Sequence, residues 1–223
     1  MGNKEVSLDW PTIWASLPGF GEALLIDLYI AAMGFVLACV IGLAVSGMRG
    51  NSSRTVRAPA YVYTQVLRGV PLYVLILWIY FGLSSAVGIN LSPVTATVIA
   101  IGVAASATTA EIFRGAFAAI DPGQIEAARA MGLRRSQIYQ HVLLPVATRV
   151  AIPPLGNVVI LQVKAATYGA VIAVPGMVYL AQDLSMAQFR PFEAYMTVAA
   201  LLVAVVLLLS IVVLGLERAL RLP

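Results

Sequence analysis

Five apolar runs, each about as long as a membrane is thick, dominate this sequence. An α-helix needs roughly 20 apolar residues to cross about 30 Å of hydrocarbon. Only 11% of the residues are charged and 61% are hydrophobic, whereas a soluble domain carries about a quarter charged residues. We therefore predict an all-α, polytopic integral membrane protein with five transmembrane helices. The spans are expected at about 23–47, 60–86, 94–113, 149–174 and 193–216.

The segments outside the spans divide the chain into three parts. Residues 1–22 are predicted to form a periplasmic or interfacial segment, because Trp10 and Trp14 are spaced as on a helix just before the first span. A disordered leader is the alternative for this part. Residues 23–217 are expected to form the transmembrane domain, and residues 218–223 a cytoplasmic tail. Loops between spans are expected near 47–53, 87–93 and 182–191.

The basic residues predict the orientation of the chain. Lys4 and Arg190 fall on one side of the membrane and ten other basic residues on the opposite side, while Arg68 and Lys164 lie near or within the membrane. Cytoplasmic loops are enriched in lysine and arginine, so we expect the N-terminus outside and the C-terminus inside. The net charge of +4 then reflects topology, and a nucleic-acid partner is not expected. The ten basic residues on the inner side would be Arg49, Arg54, Arg57, Arg114, Arg129, Arg134, Arg135, Arg149, Arg218 and Arg221.

The loop between the third and fourth spans, about 115–147, is patterned as a helix. Asp121 suits the N-cap, Pro122 suits the first helical position, and Gln124 fits a capping box. Gly132 is expected to end this helix, because glycine enters the left-handed conformation without steric cost. This polar, ordered segment is typical of a docking element for a soluble partner.

A second short helix is expected after the first one. Ser136 is its predicted cap, and Leu144-Pro145 is expected to end it and redirect the chain into the membrane. The small side chains of Ala127 and Ala128 would let a partner surface approach closely. The alternative is a hairpin that lies on the lipid surface and has no protein partner.

The same loop resembles the EAA loop of ABC importer permeases. The matching pattern is Glu126-Ala127-Ala128, three residues, Gly132, nine residues, Val142, one residue, and Leu144-Pro145, with valine where the family usually has isoleucine. Other motifs resemble the polar amino-acid uptake subfamily of these permeases. They are Leu67-Arg68-Gly69-Val70-Pro71-Leu72, Tyr80-Phe81-Gly82, Ala110-Glu111-Ile112-Phe113-Arg114-Gly115, Gly123-Gln124 and Pro154 to Asn157.

The resemblance implies the ABC importer type I permease fold, in the bacterial inner membrane. It also implies a second permease subunit (homomeric or heteromeric), a cytoplasmic ABC ATPase dimer and an extracytoplasmic substrate-binding protein. No cofactor is expected on this non-catalytic chain, since it has no Gly-x-x-x-x-Gly-Lys-Ser/Thr motif, and ATP and Mg²⁺ would bind the ATPase. The ATPase-coupling residues would be Gln124, Glu126, Ala127, Ala128, Arg129, Gly132, Leu133, Leu144 and Pro145.

Polar side chains at membrane depth are costly and often mark a substrate path. The candidate path residues here are Arg68, Gln162, Lys164, Thr167 and Tyr168. Prolines and glycines flank the last four and loosen the helix, as expected where backbone lines a cavity. The alternatives are that Lys164 pairs with an acid or a carbonyl across the dimer, and that Arg68 is held by partner or backbone acceptors at a bend.

Two positions depart from the family pattern. Ala165 stands where the family commonly has an aspartate after the lysine, which weakens the case for a cationic amino acid bound by this subunit. Gly176 stands where a glutamate often follows the Val-Pro pair, here Val174-Pro175. A neutral, anionic or zwitterionic solute, or a binding group supplied by a paralogous subunit, would account for the missing aspartate.

The remaining titratable residues suggest no enzyme and no metal site. Glu22 and Asp27 are expected at the outer end of the first span, either solvated at the interface or in contact with the delivery protein. Glu111 and Arg114, three residues apart, are expected to support the inner loop. Cys39 is the single cysteine, so no intrachain disulfide forms. The rival functions are an ion-coupled secondary carrier and a membrane sensor or assembly subunit.

Overall fold

The computed structural model describes residues 10–220, so the charges expected at Lys4 and Arg221 lie outside the described residues. The described part forms nine helices along the chain. They are α1 (Trp10–Ala15), α2 (Leu17–Arg49), α3 (Arg54–Gly69), α4 (Leu72–Val87), α5 (Pro93–Ala118), α6 (Pro122–Ala130), α7 (Arg135–Ile172), α8 (Met177–Gln188) and α9 (Pro191–Leu220).

Four helices, α2, α5, α7 and α9, are long and apolar enough to cross a membrane. The fifth predicted span is present only if α3 and α4 count together, because they meet at 105°. The span expected over 60–86 is therefore divided into two helices by a sharp turn, which falls at the bend expected beside Arg68. Pro71 lacks the N–H that a continuing helix needs, and Val70 before it is extended, with φ −83° and ψ 124°.

Small residues allow α2 and α5 to pack closely along most of their length. A methyl group on Gly42 of α2 would lie 2.0 Å from Thr109 Oγ1 of α5. The Thr109 hydroxyl instead donates a hydrogen bond of 2.7 Å to the Ala38 carbonyl oxygen. Gly34 and Gly102 meet at a second close crossing nearer the middle of the two helices. Such crossings are typical of membrane helices, where close backbone approach replaces the hydrophobic driving force.

The fourth candidate crossing, α7, is a single helix of 38 residues, which is longer than the roughly 20 residues that a membrane span needs. The expected break at Leu144-Pro145 is wrong, because a π-helical turn at Tyr139–Leu143 widens the helix just ahead of the proline ring. Ser136 does not cap the start of the helix either. The Arg134 N–H donates to Gln137 Oε1 at 2.8 Å. A capping-box contact of the kind that the sequence predicted for Gln124 in α6 is therefore made here by Gln137.

Helix α8 occupies most of a segment that the sequence led us to expect as a loop at 182–191. Met177 and Ala181 of α8 are fully buried and pack in one cluster with Phe20, Ala194 and Val198. The helix ends at Phe189, which has a left-handed φ of 56°. Contacts with α2 and α9 therefore stabilise α8. We call this end of the bundle the α8 end, and the opposite one the α6 end.

Candidate coupling surface and translocation path

Helix α6 has a defined start and a defined end. Asp121 Oδ1 accepts a hydrogen bond of 2.8 Å from the Gly123 N–H, as an N-cap does. Gly132 has a φ of +78°, its N–H donates to the Arg129 carbonyl at 2.9 Å, and the Leu133 N–H donates to the Ala128 carbonyl at 3.2 Å. These two bonds form a Schellman motif. The predictions that Asp121 caps α6 and that Gly132 ends it are confirmed.

The two faces of α6 have different surroundings. Ala128 is 1% exposed, and Ile125 packs against a cluster that contains Ala116 of α5 and Ala147 of α7. The expectation that Ala128 faces a partner is therefore wrong for this subunit, because the side chain anchors α6 to the bundle. The outer face carries the exposed residues Gln124, Glu126, Ala127 and Arg129.

The remaining coupling candidates lie just after α6 or in the first part of α7. Gly132 and Pro145 are exposed, Leu133 is half-buried, and Leu144 is 45% exposed. An apolar cavity of about 170 Å³ opens between α5 and α7, next to Leu144. The α6 end thus presents a short, rigid helix with an apolar recess beside it.

An ionic cluster at the same end joins three helices. The Arg49 guanidinium, at the last residue of α2, contacts Glu111 Oε1 of α5 and donates to Thr64 Oγ1 of α3 at 3.0 Å. Arg114 Nε donates to Glu111 Oε2 at 2.8 Å, so the predicted pairing of Glu111 and Arg114 is confirmed. Arg49 also lies 5.1 Å from the centroid of the Tyr61 ring. Sequence reasoning missed Arg49, since no pattern in the chain relates residues 62 positions apart.

The path candidates on α7 lie on different faces of that helix. Gln162 is 3% exposed, and its Nε2 donates to the Ile101 carbonyl at 3.4 Å. Lys164 and Tyr168 are exposed, and the Thr167 hydroxyl donates to the Lys164 carbonyl at 2.7 Å. Arg68 is exposed at the end of α3, just before the 105° turn. In the part of the chain that the structure describes, no hydrogen bond or ion pair links Arg68 to the α7 candidates.

A small cavity lies between α4, α5 and α7. Its volume is about 210 Å³, and Thr108, Gln162 and Ala165 are among the side chains that line it. Its lining residues are all uncharged. Ala165, which stands where the family commonly has an aspartate, therefore lines this cavity. An aspartate at this position would have introduced a charge into the lining.

Asp27 differs most from expectation. It is 0% exposed, so the prediction that it is solvated or touches a delivery protein is wrong. Its Oδ2 accepts a hydrogen bond of 3.0 Å from the Met177 N–H at the start of α8. The sequence could not reveal this contact, because α8 itself was not expected. Across residues 10–220, no group of three or more His, Cys, Asp or Glu residues could hold a metal ion.

Comparison with known sequences agrees with this architecture. Residues 34–221 match the family described as binding-protein-dependent transport system inner membrane component. The chain is 34% identical over 217 residues to the glutamine transport system permease protein GlnP of Escherichia coli, covering 97% of this chain and 99% of that protein. It is 34% identical over 209 residues to the histidine/lysine/arginine/ornithine transport system permease protein HisM of Salmonella typhimurium, covering 89% of this chain and 86% of that protein.

Solved structures share the fold. A crystal structure of an amino acid ABC transporter with histidines matches with a TM-score of 0.88 at 31% identity, covering 96% of this chain and 100% of that chain. An inward-facing MetNI methionine ABC transporter matches with a TM-score of 0.75 at 23% identity, with the same coverage. Permeases of this kind work with an ATPase and a substrate-binding protein. The chain therefore belongs to the binding-protein-dependent transport system inner membrane component family, and it is a multi-pass permease subunit of a bacterial ABC importer.

Proposed function

We propose that this permease carries a polar amino acid across the inner membrane, driven by an ATPase that docks on α6. Two relatives that are each 34% identical to this chain transport glutamine or basic amino acids, by their names. The distribution of arginines supports an orientation with the N-terminus outside, which places α6 in the cytoplasm. Two permease subunits, identical or paralogous, would enclose the path, and a binding protein would deliver the solute at the α8 end.

The observation that carries the docking proposal is the two-sided environment of α6. Its inner face, through Ile125 and Ala128, is packed on α5 and α7, while its outer face exposes Glu126 and Arg129. The Schellman motif at Gly132 fixes the end of the helix. A displacement of α6 is therefore transmitted to α5 and α7 as a rigid-body movement. Alternating access requires motion of this kind.

The uncharged cavity between α4, α5 and α7 supports the choice of substrate class. Its volume of about 210 Å³ can hold a small solute, and Thr108 and Gln162 offer polar groups within it. With Ala165 in the lining, the cavity offers no carboxylate to pair with a cationic side chain. A neutral polar amino acid therefore suits this subunit better than lysine or arginine.

Reconstitution tests the proposal. The permease, its ATPase and its binding protein are placed in proteoliposomes, and uptake of labelled glutamine, histidine and arginine is measured. We expect uptake only with all three components and ATP. Uptake without the ATPase would establish an ion-coupled carrier instead, and an intact complex that moves no solute would favour the sensor or assembly role.

The docking surface has its own test. Glu126→Arg, on the exposed face of α6, should weaken co-purification of the ATPase by roughly tenfold, because charge reversal at an interface costs more than a kilocalorie per mole. Asp183→Arg makes the same change on an exposed acid of α8 at the other end. Equal binding of the ATPase to both variants would rule out α6 as the docking site.

A further inference from the structure

Asp27 lies ten residues into α2, where it is completely buried. One carboxyl oxygen, Oδ2, accepts a hydrogen bond of 3.0 Å from the Met177 N–H. The other, Oδ1, has no hydrogen-bond partner among the described residues. A buried carboxyl group that is only half satisfied is costly, so its place in the fold needs a specific cause.

Gly176 provides the space for this carboxyl group. A methyl group at Gly176 would lie 2.2 Å from Asp27 Oδ1 and 2.9 Å from its Cγ, which no real contact allows. The Gly176 backbone has φ −88° and ψ −176°, a conformation that any residue adopts. Glycine is therefore required here by the Asp27 side chain, and not by the backbone.

The contact replaces a missing helix cap. The first N–H groups of a helix need acceptors, and a carboxyl group at the N-cap position is among the preferred ones. The N-cap residue of the 12-residue helix α8 is Gly176, which has no side chain to offer. The acceptor comes instead from Asp27, 150 positions before Met177 in the sequence.

The last turns of α7 and the short connection to α8 link this cap to the path candidates. Residues Thr167–Ile172 form a 3₁₀ turn, and Ala173 then takes a left-handed φ of 60°. A methyl group on Gly169 would lie 2.8 Å from Val174 Cγ2, so this connection is folded tightly on itself. A displacement of Met177 therefore displaces the segment that carries Thr167 and Tyr168.

We propose that Asp27 and Gly176 form a latch between α2 and α8 that positions the 167–176 segment at the α8 end of the path. The latch consists of the hydrogen bond between Asp27 Oδ2 and the Met177 N–H, added to the apolar packing of α8 on α2. It fixes the first turn of α8, so losing the bond loosens that turn while the apolar packing remains. Asp27 is a positioning residue, because it acts on the solute through α8.

Relocating the carboxyl group tests the latch. Asp27→Ala removes the acceptor, and Gly176→Asp alone forces two carboxyl groups into one space. The double variant Asp27→Ala/Gly176→Asp puts an acceptor back at the usual N-cap position of α8. We expect both single variants to be defective and the double variant to be restored, which is a reversal of sign that independent structural damage does not produce.

The measurement is hydrogen–deuterium exchange of the 177–181 amides in the whole transporter in lipid nanodiscs, without nucleotide or solute. Asp27→Ala should speed exchange on the order of tenfold, and the double variant should return to within about threefold of the wild type. Solute transported per ATP hydrolysed should fall and recover in parallel. Since exchange needs no transport, a failure of the proposed substrate class would leave this result intact.

Two further variants keep the test decisive. Glu22→Ala changes an exposed acid on the same helix and should leave exchange at 177–181 unchanged. Gly176→Ala keeps the carboxyl group but displaces it, so it should speed exchange even if Asp27→Ala cannot be purified. Unchanged exchange in both Asp27→Ala and Gly176→Ala, or a double variant no better than either single one, would overturn the latch.

Discussion

Arg49 at the end of α2 contacts Glu111 in α5, across 62 positions of sequence. The same carboxylate also accepts from Arg114, and Arg49 also donates to Thr64 of α3. Both side chains of the Arg49–Glu111 pair are mostly shielded, at 14% and 19% exposure. Arg49 therefore links α2 to α5 through Glu111 and to α3 through Thr64, near the end of α5 that leads into α6.

Replacing Glu111 with glutamine should destabilise the permease. The change leaves Arg49 without its carboxylate, and charged hydrogen bonds contribute about 1.5–3 kcal/mol each. We expect a lower melting temperature of the purified permease and weaker ATP-driven uptake. Asp183→Asn makes the same chemical change on an exposed acid and should leave both unchanged. If the double variant Arg49→Gln/Glu111→Gln were as unstable as the sum of the single changes, the two residues would not be coupled.

Alanine at Gly132 and at Gly115 should have opposite effects. Neither glycine has a neighbour within 4 Å of an added methyl group, but only Gly132 has a positive φ. Gly132→Ala should cost about 1–2 kcal/mol and loosen the end of α6, so ATP hydrolysis continues while transport falls. Gly115→Ala, in a helix, should stabilise by about 0.5–1 kcal/mol.

The ratio of solute moved to ATP hydrolysed, together with thermal melting, checks this pair. Asparagine tolerates the left-handed region, so Gly132→Asn should retain more coupling than Gly132→Ala. Equal coupling in all three variants would show that the left-handed cap has no part in transmission.

Close packing of α2 on α5 predicts a large difference between two glycines in α2. A methyl group at Gly42 would lie 2.0 Å from Thr109 Oγ1, whereas one at Gly47 has no neighbour within 4 Å. Gly42→Ala should cost about 1–3 kcal/mol through overpacking, and it also disturbs the Thr109 hydrogen bond to Ala38. Gly47→Ala should be neutral or slightly stabilising. Melting curves of the two purified variants compare them directly, and similar curves would contradict the crossing described here.

Lys164 should affect transport more than another exposed cation on α7. Lys164→Ala is expected to lower solute uptake by roughly tenfold if the side chain faces the solute, which corresponds to about 1.4 kcal/mol. Arg149→Ala removes an exposed charge nearer the start of the same helix and should change uptake less than about twofold. Solute-stimulated ATP hydrolysis in proteoliposomes, measured for both variants, compares Lys164→Ala with Arg149→Ala. Indifference to the Lys164 change would assign that residue a structural role.

Labelling from each side of the membrane tests the orientation. In a Cys39→Ser background, cysteine is placed at Met131 or at Met186, which are 73% and 71% exposed at opposite ends of the bundle. The positive-inside rule predicts that an impermeant maleimide added outside right-side-out membrane vesicles reacts at 186 only. Reaction at 131 instead would show that the topology is the opposite of the predicted one.

Features that depend on neighbouring residues were predictable from the sequence. The apolar runs specified the long helices, since a membrane permits few alternatives for so much apolar length. The Asp121 cap and the Gly132 terminus were also predictable, because both are decided within a few residues of backbone. The Glu111–Arg114 pair followed from helical spacing alone.

Features that depend on distant residues were decided only by the tertiary structure. Helix α8 exists because Met177 and Ala181 find a buried surface on α2 and α9. Asp27 is buried because Gly176, far along the chain, leaves room for it. Arg49 becomes part of an ionic cluster because α2 and α5 cross closely enough to bring it to Glu111. A linear pattern records how a residue suits its own helix, but the partner that satisfies a buried charge or a free N–H is chosen by packing.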